Sequence, residues 1–343
     1  MPSDSPLISV VMPVYAANYQ YLKESIESIL SQSFDDFEFI IICDDPSDKT
    51  KEIINEYQAS DKRINVIYQK REGLVASLNK GFSMARGEYI ARMDADDISF
   101  SQRFEEQIKF LEANSDIGVC GTGIKITDRN VHENLVNPTD DASIKANLLF
   151  RTSIAHPTVM IRRNILKNLE ILYDSRYKHA EDYELWVRCS EFTKFANLKN
   201  ILLVYRLNDS RISKIFQKEQ IEISYRIQLL VLKKFDYHFT NDQLNVHSSM
   251  ILQEFEKCKT SIQKIESWLL TLLRINDKNH IYPEFVFNKI LAEQWYLMCN
   301  STTNLGLWNW KKFWKSPLSK YVSLNKAMKF KFFIACLVKF WVN

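Results

Sequence analysis

Glycine is scarce in this chain, with seven among 343 residues, and its placement excludes two common nucleotide-binding loops. No G-x-G-x-x-G follows the first apolar segment, and the G-T-G at 121–123 is isolated and late, so a dinucleotide-binding loop is not expected. The pattern G-x-x-x-x-G-K-S/T is also absent, which excludes P-loop kinases and ATPases. If the protein binds a nucleotide, carboxylates and a metal ion must hold it instead.

Paired cysteines and long apolar runs are missing as well. The six cysteines include no C-x-x-C pair, so we expect no zinc site and buried thiols that stay free in a reducing cytoplasm. The first residues lack a basic stretch followed by an apolar run, which argues against a signal peptide. No segment approaches the roughly 18 apolar residues that span a bilayer.

The C-terminal tail, residues 305–343, contains no acidic residue and carries eight lysines. The whole chain has a net charge of +3, and outside the tail 37 basic residues face 42 acidic ones. The basic charge therefore belongs to the tail. This distribution predicts a surface partner for that segment and argues against general nucleic-acid binding.

Apolar runs alternate with amphipathic segments through residues 7–97. Near-continuous apolar strands separated by helices predict an α/β fold whose parallel, doubly wound sheet is covered on both faces. Ligands bind such sheets beyond the carboxyl ends of the strands, which here are residues 13–18, 44–48, 69–73 and 94–97. The predicted strands are 7–14, 37–43, 64–68 and 88–93, and the predicted helices are 21–31, 49–58 and 74–85.

The pattern after residue 100 is less regular. Long helical runs dominate from about residue 215, so we predict a catalytic domain at 1–214 and a helical C-terminal region at 215–343. Before that boundary we predict a helix at 104–112, short strands near Val119 and Ile124, a strand at 156–161 and a helix at 181–189.

Three carboxylates follow the fourth predicted strand, in the sequence Asp94-Ala95-Asp96-Asp97. Like charges this close are costly unless a cation lies among them, and Mg²⁺ or Mn²⁺ prefers carboxylate oxygens and shares its shell with phosphates. An acidic turn that caps the next helix would show the same pattern. A second pair, Asp44-Asp45, also follows a strand, although Asp-Pro-Ser is a common turn composition. Two strand ends with clustered aspartates favour one shared site over two coincidences.

A further acidic pair, Glu181 and Asp182, begins a predicted helix. A carboxylate in this position either caps the helix or acts as a general base toward a substrate hydroxyl. His156 stands alone beside Pro157, and such a histidine is usually structural.

Five segments share their order with those of one enzyme family: SVVMPVYAAN, IIICDDPSDKT, GLVASLNKGFSMARGEYIARMDADDISFSQRFEEQ, AHPTVMIRR and HAEDYELWVR. Together they cover roughly residues 7–210. They resemble the family 2 glycosyltransferases, whose nucleotide-sugar-binding fold is of the GT-A type with a mostly parallel central sheet. The resemblance is strongest to bacterial enzymes that build O-antigen, capsule or exopolysaccharide repeat units.

The resemblance implies a donor site for a nucleotide-sugar, expected to be a UDP-sugar. In this site Asp45 would hydrogen-bond the nucleotide base with support from Asp44. Asp94 would lie near the ribose and the metal, and Asp96 would bind Mn²⁺ or Mg²⁺ directly. The full implied set of donor contacts is Pro13, Val14, Tyr15, Asp44, Asp45, Asn79, Asp94, Ala95 and Asp96.

The resemblance also implies that Asp182 is the catalytic base of an inverting transfer. Residues that it places on the acceptor or diphosphate side are His156, Glu181, Arg206 and Arg211. The chain departs from the family at three points. The segment after the second strand is one residue shorter than the usual D-D-G-S-T-D, Leu78 stands where many members have arginine, and Leu207 stands where many have histidine.

The expected function is an inverting, metal-dependent sugar transfer to a glycan or to a polyprenyl-diphosphate-linked saccharide. A metal-dependent nucleotidyltransferase is one alternative, although MPVYAANYQ lacks its Gly-rich basic loop. A non-catalytic binding protein is another. The aromatic and lysine-rich tail suits an interfacial helix on the inner face of the cytoplasmic membrane. Alternatively, its aromatic residues pack on the catalytic domain while its lysines face water.

Overall fold

The computed structural model describes residues 5–128, 132–166, 172–207 and 216–342, without the side chains of residues 217 and 339–342. The chain divides into two compact units, residues 1–224 and 225–343. The first is an α/β unit and the second is helical. The predicted boundary after residue 214 falls among residues outside the described ranges, so it stays a prediction.

One mixed sheet of nine strands forms the centre of the α/β unit. The strands are β1 (Ile8–Val14), β2 (Phe37–Asp44), β3 (Ile64–Gln69), β4 (Tyr89–Arg92), β5 (Ile98–Ser99), β6 (Ile117–Thr127), β7 (His132–Leu135), β8 (Met160–Arg162) and β9 (Lys194–Arg206). Their order is β3-β2-β1-β4-β8-β6-β9-β5, and β7 pairs with β6.

The first four strands confirm the predicted parallel arrangement. Strand β1 pairs in parallel with both β2 and β4, and β2 pairs in parallel with β3. The residues of β1 and β2 are apolar almost throughout because both faces are covered. On one face, Met12 and its neighbours pack against Leu22, Ile26 and Phe104 of the helices.

The described helices of this unit lie on both faces of the sheet, as predicted. They are α1 (Tyr19–Leu30), α2 (Asp48–Ser60), α3 (Leu74–Met84), α4 (Arg103–Ala113), α5 (Asp141–Asn147), α6 (Arg163–Leu166), α7 (Glu181–Cys189) and the start of α8 (Gln217–Lys233). Helix α3 covers the second face so closely that a Cβ on Gly81 would lie 2.4 Å from Cγ1 of Val11.

The second half of the sheet differs from the prediction. The two short strands expected near Val119 and Ile124 form one strand, β6, because Gly121 and Gly123 continue it rather than interrupt it. A Cβ on Gly123 would lie 2.7 Å from the Ile201 side chain of the neighbouring β9. The isolated G-T-G is therefore explained by close strand packing.

Two further differences concern residues 156–206. The strand expected at 156–161 is a 3-10 turn at His156–Thr158 followed by β8. Strand β9 was not predicted, and it pairs in parallel with β6 and antiparallel with β5. Only a few residues join β4 to β5, yet three strands separate them in the strand order. The sheet must therefore curl to bring these two strands close together. The curl brings the end of β9 to the carboxyl edge of β4.

The second unit is entirely helical within the residues that are described. Its helices are the remainder of α8, α9 (Asn241–Leu252), α10 (Lys259–Asn279), α11 (Glu284–Ser301), α12 (Gly306–Lys315) and α13 (Lys326–Val342). Trp268, Phe287 and Trp295 are fully buried and form the centre of its core. None of the helices in the described ranges has the length and apolar character needed to cross a bilayer.

Candidate active site

The carboxyl ends of β1, β2, β3 and β4 lie on one edge of the sheet because the four strands are parallel neighbours. This edge carries the four segments that were expected to hold the chemistry, residues 13–18, 44–48, 69–73 and 94–97. The sheet therefore gathers acidic residues that are distant in the sequence into one region.

The two aspartates at the end of β2 have different environments. Asp44 is buried, and its carboxylate accepts hydrogen bonds from Gln69 Nε2 at 3.0 Å and from the backbone N–H groups of Glu72 at 2.8 Å and Gly73 at 2.9 Å. Asp45 is exposed and has a left-handed backbone with φ of 53°. Asp44 thus holds the loop after β3, while Asp45 presents its carboxylate to solvent.

The end of β1 presents one side chain to this edge. Val14 is buried in the core, so it can reach a ligand only through its backbone, and Pro13 has no backbone N–H to donate. Tyr15 is exposed, and the guanidinium of Arg71 lies 5.2 Å from its ring centroid. The ring of Tyr15 and the carboxylate of Asp45 are therefore the accessible groups at the ends of these two strands.

The aspartate turn, residues 94–97, follows β4. Carboxylate oxygens of Asp94, Asp96 and Asp97 all lie within 4.8 Å of one another, and Asp97 is completely buried. Oxygen ligands at this spacing fit a small divalent cation that completes its shell with water or phosphate. Asp97 was not predicted as a ligand, although it stands in the same acidic run. Ala95 lies between them and is partly buried.

A buried arginine lies directly behind the aspartate turn. Arg92, on β4, places Nη1 2.6 Å from Oδ2 of Asp94. Its side chain is almost fully buried, so water screens this ion pair little. An arginine within an otherwise apolar strand is visible in the sequence, but its role was not predicted.

Asp182 is partly exposed at the start of α7, and its Oδ1 accepts a hydrogen bond from the backbone N–H of Tyr183 at 2.8 Å. Partial burial raises the pKa of Asp182; the hydrogen bond from Tyr183 and the positive charge of Arg92 oppose this shift, and the negative charge of Asp94 adds to it. The carboxylate is thus a stronger proton acceptor than an ordinary aspartate. One of its oxygens also satisfies an N–H of the first helical turn, so the capping and base interpretations are compatible.

Glu181, beside it, has a different exposure. Its side chain is buried, and burial together with the charge of Asp182 raises its pKa to about 7. A buried carboxyl group cannot approach a substrate hydroxyl as readily as the partly exposed Asp182. The geometry therefore favours Asp182 over Glu181 as a proton acceptor.

His156 and Asn79 both contact Tyr173. No role was predicted for Tyr173 from the sequence. His156 Nε2 lies 2.9 Å from the Tyr173 hydroxyl, and the Asn79 amide exchanges two hydrogen bonds of 2.8 Å with the Tyr173 backbone. Burial, and then the charge of Arg92, lowers the pKa of His156 well below its ordinary value, so the imidazole is neutral near pH 7. The donor contact predicted for Asn79 stays a prediction, and its amide is committed to Tyr173.

Arg206 ends β9 beside the aspartate turn. Its backbone N–H donates to Oδ1 of Asp97 at 3.0 Å, and its guanidinium forms an ion pair with Glu24 of α1. The predicted contact of Arg206 with a diphosphate stays a prediction. Arg211 lies outside the described residues.

This combination of fold and acidic edge agrees with the comparison to known protein families. A model described as glycosyl transferase family 2 matches residues 9–195, which is more than half of the chain. The chain belongs to glycosyl transferase family 2. As a member of this family it is a glycosyltransferase enzyme, so the nucleotidyltransferase and binding-protein alternatives are not retained.

Relatives and solved structures are consistent with this family. An uncharacterized glycosyltransferase of Methanocaldococcus jannaschii is 39% identical over 247 residues, which cover 70% of this chain and 83% of that protein. The O-antigen biosynthesis glycosyltransferase WbnJ of Escherichia coli is 32% identical over 219 residues, which cover 61% of this chain and 82% of that protein.

The fold is also similar to that of TarS from S. aureus, solved in complex with UDP-GlcNAc. That comparison has a TM-score of 0.57 at 17% identity and covers 92% of this chain and 90% of that one. At such low identity the likeness concerns the fold alone. The predicted GT-A type α/β fold with C-terminal helices is confirmed.

The unequal environments of Asp44 and Asp45 lead to a stability prediction. Asp44→Asn places an amide NH₂ among groups that donate to the native carboxylate, so we expect a loss of about 1–3 kcal/mol in the free energy of unfolding. Asp45→Asn, at an exposed position, should change it by less than about 0.5 kcal/mol. Denaturant unfolding of both variants measures the difference. Equal stabilities would show that Asp44 does not hold the loop after β3.

Proposed function

We propose that this family 2 enzyme transfers a sugar from a nucleotide-sugar to an acceptor hydroxyl, with inversion and with the help of a divalent cation. The observation that carries the proposal is the pairing of two acidic centres about one buried arginine. Arg92 forms an ion pair with Asp94 of the aspartate turn, and its charge also acts on Asp182. One centre suits a donor diphosphate and the other suits an acceptor hydroxyl.

The donor would bind along the edge formed by β1 and β2. The exposed ring of Tyr15 offers a stacking surface for a nucleotide base, and Asp45 offers an acceptor for its N–H group. The similar fold of TarS, solved with UDP-GlcNAc, supports a UDP-sugar as the donor. Because a few hydrogen bonds discriminate related sugars, a panel of UDP- and GDP-sugars is the experiment that identifies the donor.

Mn²⁺ or Mg²⁺ fits the aspartate turn. Asp94, Asp96 and Asp97 would hold it, since their oxygens lie within 4.8 Å of one another. Such a cation stabilises the negative charge that develops on the leaving diphosphate. Arg92 orients Asp94 toward this task through its contact of 2.6 Å.

Asp182 would take the proton from the acceptor hydroxyl as the oxygen of that hydroxyl attacks the anomeric carbon. The bond from this carbon to the diphosphate oxygen breaks as the new bond forms on the opposite face. The configuration inverts, and no covalent enzyme intermediate is needed. Neutral His156, oriented by the Tyr173 hydroxyl at 2.9 Å, would contact the acceptor sugar.

One relative supports a class of acceptor. WbnJ is an O-antigen biosynthesis enzyme, which supports a role in bacterial surface polysaccharide synthesis for this chain as well. The acceptor would then be a saccharide, linked to a polyprenyl diphosphate in the membrane.

The tail contributes two groups of apolar side chains with different exposure. Phe313 and Phe332 are buried and pack edge to face at 5.4 Å, and Tyr296 of α11 contacts both rings. These aromatic residues belong to the core of the helical unit. The interleaved Trp and Phe pattern of the sequence therefore overstates how many of these side chains could reach a membrane.

A second group forms an exposed stripe on α13. Phe330 is 64% exposed, Ile334 37% and Val338 54%, and their spacing of four places them on one helix face. Exposed lysines 326, 329 and 331 accompany the stripe. Apolar residues with lysines nearby suit an anionic membrane surface. We place the enzyme at the cytoplasmic face of the membrane, bound through this α13 stripe.

The metal role predicts a loss of both activity and ligand binding. Asp96→Ala should lower turnover by about two to three powers of ten. It should also abolish the Mn²⁺-dependent binding of UDP measured by calorimetry, and EDTA should have the same effect on the native enzyme. Asp35→Ala, at an exposed site before β2, is the control. Full turnover in EDTA would refute the metal role.

The base role predicts unequal effects at two adjacent carboxyl groups. Asp182→Asn keeps the size but cannot accept the proton, so turnover should fall by about two to four powers of ten with little change in donor binding. Glu181→Gln should retain most of the turnover. Because burial raises the pKa of Asp182, native turnover should fall as the pH drops, with a midpoint above 3.8. If Glu181→Gln is the inactive variant, the base is Glu181.

The membrane role predicts that three substitutions on α13 act together. Phe330→Ser, Ile334→Ser and Val338→Ser should weaken binding to phosphatidylglycerol vesicles at least about tenfold in a co-sedimentation assay. Added salt should weaken binding of the native chain. Phe285→Ser, 75% exposed on α11, is a matched control. Equal binding by the triple variant would contradict the role of the stripe, and equal binding to phosphatidylcholine vesicles would contradict the preference for an anionic surface.

A further inference from the structure

Arg206 has contacts that a diphosphate-binding role does not explain. Its Nη2 forms an ion pair with Glu24 of α1, and its Nη1 donates to the backbone carbonyl of Asp96 at 3.3 Å. Its backbone N–H donates to Oδ1 of Asp97 at 3.0 Å. The side chain is only 11% exposed, so the guanidinium is directed toward groups of the protein itself.

We propose that Glu24 and Arg206 form a positioning pair that holds the aspartate turn in the conformation that gathers its carboxylates. Glu24 acts through Arg206, with which it forms an ion pair. The proposal rests on the metal role of the turn that is proposed above. It adds two positioning residues to that role.

One face of α1 orients the pair. Gln20 Nε2 donates to Oε1 of Glu24 at 2.7 Å, which leaves Oε2 directed to Arg206. The ring of Tyr21 lies 4.6 Å from the guanidinium carbon of Arg206. A planar guanidinium stacked on a ring and paired with a carboxylate has little rotational freedom. The orientation of Arg206 is therefore set by Glu24, by the ring of Tyr21 and by the backbone carbonyl of Asp96.

The same helix also reaches the turn without Arg206. The Ser25 hydroxyl is within hydrogen-bond reach of the backbone carbonyl of Asp97, and it lies 3.3 Å from that of Asp94. Helix α1 thus contacts both ends of the turn directly through Ser25. It reaches the middle of the turn indirectly, because Glu24 pairs with Arg206 and Arg206 donates to the carbonyl of Asp96.

Restraint of this kind matters because the three carboxylates repel one another when no cation is bound. A turn free to spread would have to be gathered again each time a cation binds, which weakens the binding. Groups that orient metal ligands typically change metal affinity or activity by about 10–100-fold when they are removed. Arg206 also brings a positive charge to the acidic turn.

The two roles of Arg206 make different predictions about Glu24. If Arg206 contacts the diphosphate directly, its loss weakens UDP binding whether or not Mn²⁺ is present, and Glu24 has little effect. If the pair positions the turn, loss of either residue weakens Mn²⁺ binding. In that case the two losses are not additive, because they remove the same restraint.

The test is calorimetric titration of Mn²⁺ into the full chain in the presence of UDP. We expect Glu24→Gln and Arg206→Gln each to raise the apparent Mn²⁺ Kd by about 10–100-fold. The double variant should be no worse than the weaker-binding single variant. Arg206→Lys keeps the positive charge but loses the planar guanidinium with its several N–H donors. Its apparent Mn²⁺ Kd should lie between those of Arg206→Gln and the native chain.

Glu27→Gln is the matched control, because Glu27 lies on the same helix, is exposed, and accepts a hydrogen bond of 2.6 Å from Tyr57 instead. It should bind Mn²⁺ like the native chain. Circular dichroism and Tm confirm that each variant is folded, and Glu24→Gln is isosteric.

An unchanged Mn²⁺ Kd in folded Glu24→Gln would overturn the positioning pair. If Asp96→Ala abolishes Mn²⁺ binding in the same experiment, the metal role survives that result. If the native chain with UDP does not bind Mn²⁺, both proposals fail together. Weaker UDP binding by Arg206→Gln without Mn²⁺, with Glu24→Gln unaffected, would assign Arg206 to the diphosphate and also overturn the pair.

Discussion

Repulsion among the three carboxylates of the aspartate turn is the physical constraint that the neighbouring parts of the α/β unit have to offset. Carboxylates whose oxygens lie within 4.8 Å of one another stay together only if neighbouring groups offset their charge and restrain their backbone. Arg92 contributes a buried positive charge from β4, and Arg206 contributes another from the end of β9. The second contact requires the sheet to curl, since β9 is separated from β4 by β8 and β6 in the strand order.

The buried charge of Arg92 also acts on Asp182 and His156, which are proposed to face the acceptor. Burial raises the pKa of Asp182, and the hydrogen bond from Tyr183 together with the charge of Arg92 limits that rise. The same charge helps to keep His156 neutral. A neutral imidazole can hydrogen-bond a sugar hydroxyl without placing a second cation beside the first. The electrostatics of Asp94 and of Asp182 are therefore coupled through one side chain.

In the helical unit, the composition of the tail does not predict which of its side chains are exposed. The tail contains tryptophan, phenylalanine and lysine throughout, and its sequence alone does not distinguish core residues from surface residues. Packing separates them, since Phe313 and Phe332 are buried with Tyr296, whereas Phe330 points to solvent two residues before Phe332. A helix turns by about 100° per residue, so such close neighbours face different surroundings.

The sequence alone is enough to predict the parallel half of the sheet, because continuous apolar runs separated by amphipathic segments have few other stable arrangements. It also determined the acidic character of two strand ends and the presence of a carboxylate pair at the start of α7. The tertiary structure was needed to show that Asp44 holds a loop while Asp45 faces solvent, and that Asn79 is hydrogen-bonded to Tyr173. It alone paired Glu24 with Arg206, which are 182 positions apart. Local periodicity reports which face of an element is buried, but it contains no information about which distant side chain will meet that face.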